Sequence, residues 1–302
     1  MELRNLKAFV KAAQLLNFSE AARQMCVTQS TLSQNIKQLE NETGYALFYR
    51  NSHEVQLTEA GKELLPFAEK TINAAEDCNR RMEDLRGLRC GQLSIGITHS
   101  FTQVLNETLK TYMKHYPNIR LNIVYRPMTE LIERLEKREL DFVLSYRPVN
   151  ESANLDSHIL FEDNLSVIVQ TGHPLANLRT VSLSDLAEYP AALPSKGLQA
   201  RIAIDNILNE LNLNLNVRIE MNEVGTLLRL VNDSTNIYTI LSSSATENTD
   251  NLVAIPINPA CKMEGCVQTI KGRYLKAASK KFIRILCETS LVKKRINDWL
   301  QE

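Results

Sequence analysis

The hydrophobic period of this 302-residue chain changes once along its length. From Leu3 to about Arg86, apolar residues recur at spacings of three and four, the period of helices. From Leu93 onward, short apolar runs alternate with helical stretches, the pattern of strands joined by crossover helices. The two halves call for different architectures, and the length favours two domains or more.

The helical half divides further. Leu3, Leu6, Phe9, Val10, Ala13 and Leu16 predict a first helix, broken at Asn17. Ser19 is the expected cap of a short second helix carrying Ala21, Ala22 and Met25. After the turn Cys26-Val27-Thr28, Thr28 caps a third helix from about Gln29 to Glu42, with Leu32, Ile36 and Leu39 inward and Gly44 at its end. Two short extended pieces around Asn51-Ser52-His53-Glu54 read as a β-wing. One long helix then runs from Thr58 to Arg86, with Gly61 as its early weak point. Its two apolar stripes, one through Leu65, Ala68, Ile72, Ala75 and Met82 and the other through Leu64, Phe67, Ala74, Cys78 and Leu85, suggest packing both on its own domain and on a second copy.

In the second half, strands at Leu93–Ile97, Ile119–Tyr125 and Phe142–Tyr146 enclose helices at Phe101–His115 and Thr129–Arg138, a βαβαβ run with a parallel sheet. A second set follows: strands at Leu165–Val169, Ala191–Leu193, Val217–Met221, Ile237–Leu241 and Cys266–Ile270, with helices at Leu198–Leu211, Gly225–Asn232 and Lys280–Leu300.

Composition narrows the function. Basic and acidic residues balance at 35 each, which argues against a protein that coats nucleic acid non-specifically. It leaves room for a specific binder. The start, MELRNLKAFVKAAQLLNF, has charges among its apolar residues and no small-residue cleavage site, so no export signal is read there. No apolar run approaches a membrane span. A soluble, cytoplasmic protein with no membrane partner is expected. The six cysteines are scattered; Cys261 and Cys266 stand five apart, not at CxxC spacing, and free thiols are expected. No GxSxG, P-loop, GxGxxG or HExxH occurs, and His53, His99, His115, His158 and His173 have no metal-site spacing. Neither an enzyme nor a cofactor-binding protein is therefore expected.

The segment FSEAARQMCVTQSTLSQNIKQLE has helix–turn–helix spacing, in which the third helix enters the major groove. Away from its buried face, Gln29, Ser30, Thr31, Ser33, Gln34 and Lys37 offer hydroxyls and amides that read base edges. Lys37 and Arg50 are candidates for phosphates, and His53 for a contact from the wing.

These residues resemble the LysR-type transcriptional regulators. The matching features are Leu6-x-x-Phe9, Phe18-Ser19-x-Ala21-Ala22, Thr28-Gln29-Ser30-x-Leu32-Ser33, Ile36-x-x-Leu39-Glu40, Gly44-x-x-Leu47-Phe48-x-Arg50 and Leu57-Thr58-x-Ala60-Gly61. The resemblance implies a mixed α+β and α/β chain: an N-terminal winged helix–turn–helix (1–58), a linker and dimerisation helix (59–89), and a two-lobed α/β domain like a periplasmic solute-binding protein (90–302). The first lobe would hold 90–161 and 266–302, the second 162–265. It also implies promoter DNA, a small effector, RNA polymerase and a homodimer or homotetramer as partners. The chain departs from the family in its wing, where Glu54 opposes phosphate, and at Gln34-Asn35, where arginine and glutamine are frequent.

An effector site follows from strand order. Ligands in such folds sit beyond the carboxyl ends of parallel strands, here at Thr98, His99, Ser100 and Thr102. The resemblance adds Ser145, Arg147, Ser195 and Glu223 from neighbouring loops. A small organic anion is expected, with Arg147 pairing its carboxylate. A thiol-redox-sensing member of the same family and a solute-binding protein without a DNA role are the alternatives.

Overall fold

The computed structural model describes residues 1–50, 55–85, 87, 90–148, 152–246, 250–289 and 292. They fall into two compact units, Met1–Leu85 and Arg86–Glu302.

The first unit is built on α1 (Leu3–Leu15), α2 (Phe18–Gln24) and α3 (Gln29–Thr43). Leu6, Phe9, Val10 and Ala13 of α1 meet Ala21 and Ala22 of α2 and Leu32, Ile36 and Leu39 of α3 in one core. Asn17, not Ser19, caps α2. Leu16 ends α1 in the left-handed region, which leaves Asn17 extended with its side chain accepting from Glu20 N at 3.0 Å. Ser19 sits inside the helix and donates to Gln29 Oε1 at 3.0 Å. Thr28 caps α3 as expected, accepting from Thr31 N at 3.2 Å.

Strands β1 (Phe48–Arg50) and β2 (Val55–Leu57) pair antiparallel, Phe48 opposite Leu57. The wing turn, with its candidate His53, lies outside the described residues. Helix α4 (Glu59–Leu85) follows. Thr58 joins it to the wing, accepting from Gly61 N at 3.0 Å and donating to Ala46 O at 2.7 Å. Gly61 is a packing requirement rather than a weak point, since a Cβ there would lie 2.3 Å from the Leu47 carbonyl oxygen. The helix interior instead carries Pro66, which removes one backbone donor.

In the second unit, β3 (Gly91–Ile97) lies between β4 (Ile119–Tyr125) and β5 (Phe142–Tyr146), parallel to both. A 3-10 turn at His99–Phe101 leads into α5 (Thr102–His115), and α6 (Met128–Glu136) connects β4 to β5. The next strand, β6 (Leu155–Gln170), is much longer than the expected Leu165–Val169. Its first part is rich in polar residues, which hides it from a hydrophobic-run reading. Pairing stabilises it there, against β12 (Lys262–Ile270). Its second part pairs with β10 (Thr239–Ser242) and β11 (Leu252–Asn258).

One strand thus serves both lobes, in the order β4-β3-β5-β12-β6-β11-β7, with β7 at Val181–Ser182. The β12 register shifts between Gly265 and Cys266, where the Phe161 ring lies so close that a Cβ on Gly265 would be 2.5 Å away. In the second lobe β8 (Ala191–Pro194) and β9 (Val217–Met221) pair parallel, with α7 (Gln199–Glu210) and α8 (Val224–Asn232). The final described helix, α9 (Ala277–Cys287), ends where Thr289 folds back to donate to Leu286 O at 2.7 Å. The helix expected over Lys280–Leu300 therefore stops at Cys287, and 293–302 lie outside the described residues.

Candidate functional site

The first candidate surface is the solvent side of α3. Gln29, Ser30, Thr31, Gln34 and Lys37 are exposed and Ser33 is half-buried, opposite the fully buried Leu32, Ile36 and Leu39. The Thr28 hydroxyl lies 2.9 Å from that of Ser30 and 2.8 Å from that of Thr31. The Gln29 carbonyl oxygen is engaged by Ser19, which leaves its amide N–H groups for a partner. On α2, Glu20 accepts from Arg23 Nε and Nη2, both at 2.9 Å, and from Gln24 at 2.8 Å. These bonds, Arg23 foremost, hold the Glu20 carboxyl below its ordinary range. Arg50 closes β1.

Helix α4 divides its apolar residues sharply. Ala68 and Ile72 belong to the core of their own unit. Phe67, Met82 and Leu85 are 63, 55 and 78 % exposed. With Thr71, Ala74 and Cys78, also exposed, they follow one another at three- and four-residue steps along one side.

In the second unit, His99, Ser100, Thr102 and Glu223 share a cavity of about 290 Å³, also lined by Val224, Leu228, Leu241, Ser242, Ser244 and Ala245. The elements place these groups from both lobes. His99 and Ser100 follow β3, Glu223 caps α8, Ser242 ends β10 and Ser244 lies just past it. Thr102 donates to His99 O at 2.7 Å. Glu223 accepts from the backbone N–H groups of Gly225 and Thr226. Thr226 most of all lowers its pKa.

The other expected effector residues are arranged differently. Thr98 is buried; its N–H donates to Leu144 O at 3.0 Å, and it borders only a small neighbouring pocket shared with His99 and Ser100. Ser145 is fully buried and donates to Tyr146 O at 3.1 Å. It lines none of these cavities, because alternate residues of a central strand point into its layers. Ser195 is held through its N–H to Met221 O at 2.9 Å and borders none of them either. Arg147 is paired with Glu264 at 2.9 Å and lines a separate cavity of about 590 Å³, together with Glu162, Gln199, Lys262 and Met263. The cavity beside His99 thus brings an organic anion no arginine, and it presents the Glu223 carboxylate.

Two features escaped the sequence reading. Gln199 closes a two-way pair with the Tyr146 backbone: its Oε1 accepts from Tyr146 N at 3.1 Å and its amide donates to Tyr146 O. The buried Asp163 on β6 gathers hydroxyls from Tyr146, Ser242, Ser243 and Ser244. Burial, reinforced by Asp163, pushes the Tyr146 phenol up, so it remains a donor. The run Ser242-Ser243-Ser244 was the only available signal, and nothing in it points to position 163.

Among the described residues no group of three or more His, Cys, Asp or Glu could hold a metal, and no helix is long and apolar enough to cross a membrane. No disulfide joins any of the six cysteines, all of which lie among the described residues. Cys261 and Cys266 are both buried, and burial raises the Cys261 thiol.

Comparison with known proteins adds two family matches. The model described as "LysR substrate binding domain" matches residues 86–290, and "Bacterial regulatory helix-turn-helix protein, lysR family" matches residues 3–62. The chain is 31 % identical to the uncharacterised HTH-type transcriptional regulator YnfL of Escherichia coli K12, over 76 % of this chain and 79 % of that one. Its fold is similar to a full-length variant of OxyR from Pseudomonas aeruginosa, with TM-score 0.69, 19 % identity and 98 % of each chain covered. It is also similar to full-length CbnR complexed with its target DNA, with TM-score 0.55, 18 % identity, and 95 % of this chain and 99 % of that one covered.

Proposed function

Given that this chain belongs to the LysR-type family of bacterial transcriptional regulators, we propose that it binds promoter DNA through α3 and the wing, under the control of a small effector held in its C-terminal unit. On this reading residues 1–58 read DNA, 59–89 pair two copies, and 90–302 bind the effector, in the cytoplasm and in contact with RNA polymerase. The observation that carries it is the α3 face: exposed Gln29, Ser30, Thr31, Gln34 and Lys37 on a helix anchored by three fully buried residues and capped by Thr28. An anchored helix with short hydroxyl and amide side chains suits major-groove readout. The CbnR complex is a chain of similar fold holding its target DNA.

The test compares the intergenic DNA upstream of the gene with random DNA. Gln34→Ala should weaken the first by about 1–3 kcal/mol if it makes a bidentate base contact, and leave the second nearly unchanged. Lys37→Ala should weaken both and lower the salt slope by about one. Equal weakening of both DNAs by Gln34→Ala would remove the base-reading role.

The exposed side of α4 supports a homodimer, and through further contacts a homotetramer. Ile72 is a core residue, so its substitution would unfold its own unit; Phe67 is the informative position. Phe67→Glu should lower the mass measured by analytical ultracentrifugation, and an unchanged mass would place the dimer interface elsewhere. The thiol-redox alternative is disfavoured by geometry. Five residues of extended chain span about 16 Å, whereas a disulfide needs Cα atoms within about 7 Å. Cys261 and Cys266 would meet only if β12 were dismantled. A solute-binding protein without a DNA role would have no use for the face of α3.

A further inference from the structure

The cavity beside His99 has a hydrogen-bond polarity set from behind its wall. Asp163 is 8 % exposed. Its Oδ2 accepts from Tyr146 at 3.0 Å, from Ser244 at 2.9 Å and from Ser242, and its Oδ1 accepts from Ser243 and from Asn164 N, both at 2.7 Å. Ser242 and Ser244 also lie 2.6 Å from each other. A hydroxyl has one hydrogen and two lone pairs. With the hydrogens of Ser242 and Ser244 directed at Asp163 or at one another, these serines show the cavity only lone pairs. The Thr102 hydrogen is likewise engaged, by His99 O. Glu223 is an acceptor by nature. Its bonds to the Thr226 side chain and to the N–H groups of Thr226 and Gly225 hold it in place and keep it ionised at neutral pH. The rest of the lining is Gly225, apolar surface from Val224, Leu228, Leu241 and Ala245, and, on the side of His99 and Ser100, Gln103, whose amide both donates and accepts.

Resting on the reading that this cavity is the effector site, we propose that its ligand carries a protonated amine, seated between Glu223 and the Ser242–Ser244 wall, on a short apolar body. An ammonium has three donors and no acceptor, which matches a wall of acceptors facing one carboxylate. A carboxylate head would meet Glu223 and the serine lone pairs. To receive it, the serines would have to turn their hydrogens outward, leaving a buried carboxylate short of donors. His99 and the Ser100 hydroxyl, on the β3 side of the cavity, can hold a second polar end of the ligand, so amino acids fall within the class. A volume of about 290 Å³ suits a ligand of that size.

The experiment uses full-length protein and three matched probes, n-butylammonium, n-butanol and butyrate, followed by a panel of diamines and amino acids set against their deaminated acids. Binding is read by thermal shift and titration calorimetry. Amines should bind, and the matched alcohols and acids should not. Glu223→Gln, which keeps an oxygen to cap α8, should weaken amine binding about tenfold, the scale of one charged hydrogen bond. Ser244→Ala should weaken it less, and Ala245→Phe, which fills the cavity, should abolish it. Should Glu223→Gln fail to fold, the Ser244→Ala and Ala245→Phe arms still decide the matter. Acids that bind and are lost only in Ala245→Phe would overturn the amine assignment while leaving the cavity as the effector site. Ligands of any class that bind Ala245→Phe as well as the unaltered chain would overturn the site itself. A panel in which no amine binds would overturn the amine assignment too.

Discussion

Two sets of serine and threonine hydroxyls in this protein are held in opposite ways. At the start of α3, the Thr28 hydroxyl bonds those of Ser30 and Thr31 and one backbone N–H, and all three residues stay exposed. At the end of β10 and just past it, Ser242, Ser243 and Ser244 converge on a buried carboxylate. A hydroxyl on the surface can rotate its hydrogen to suit either a donor or an acceptor, as reading base edges requires. A hydroxyl bound to an interior carboxylate has lost that freedom and presents one fixed polarity. The same kinds of side chain are thus left free to turn in one unit and fixed in polarity in the other.

The sharpest way to break this contrast is Asp163→Ala. It leaves the Tyr146 phenol and the serine hydroxyls without their common acceptor, at a cost of about 3 kcal/mol or more. In calorimetry the C-terminal transition should fall by roughly 6–12 °C, while the N-terminal one stays in place. A shift below a degree would mean the hydroxyls find other partners and the carboxylate fixes nothing. Asp163→Asn is the milder version. It keeps one acceptor oxygen but adds two donors where donors already crowd, so a loss of about 1–2 kcal/mol is expected. A loss as large as that of Asp163→Ala would mean that charge, rather than acceptor count, organises the cluster. The smallest effect belongs to the exposed set. Thr28→Ala removes the α3 cap and should cost about 1 kcal/mol in the N-terminal transition alone. A cost above that of Asp163→Asn would show that the surface hydroxyls are the more constrained group.

Much of the architecture was legible before any coordinate. The strands at Ile119–Tyr125, Phe142–Tyr146 and Val217–Met221 lie where the sequence placed them. Thr28 and Gly44 bound α3 because capping is local chemistry, decided within four residues. The polar face of α3 was equally readable, since a helix with one apolar stripe leaves the opposite side to solvent. Local competition defeated the assignment of the α2 cap. Asn17 and Ser19 are both cap formers, and the left-handed Leu16 settled the matter in favour of Asn17.

The sequence by itself determined the two architectures, the helix order and the polar face of α3, because each rests on period or on contacts between near neighbours. Only the tertiary structure decided the candidate ligand cavity. It buried Ser145, tied Arg147 to Glu264 and set Ser195 aside, though all three follow strands in the expected way. It extended β6 through a polar stretch, because pairing with β12 satisfies backbone groups that no hydrophobic run announces. It also brought Tyr146, Asp163 and Ser242–Ser244 together, although the serines lie some 80 positions from the carboxylate. Such a cluster has no period and no local signature. It exists only because one strand crosses between two lobes and a buried charge must find its donors there.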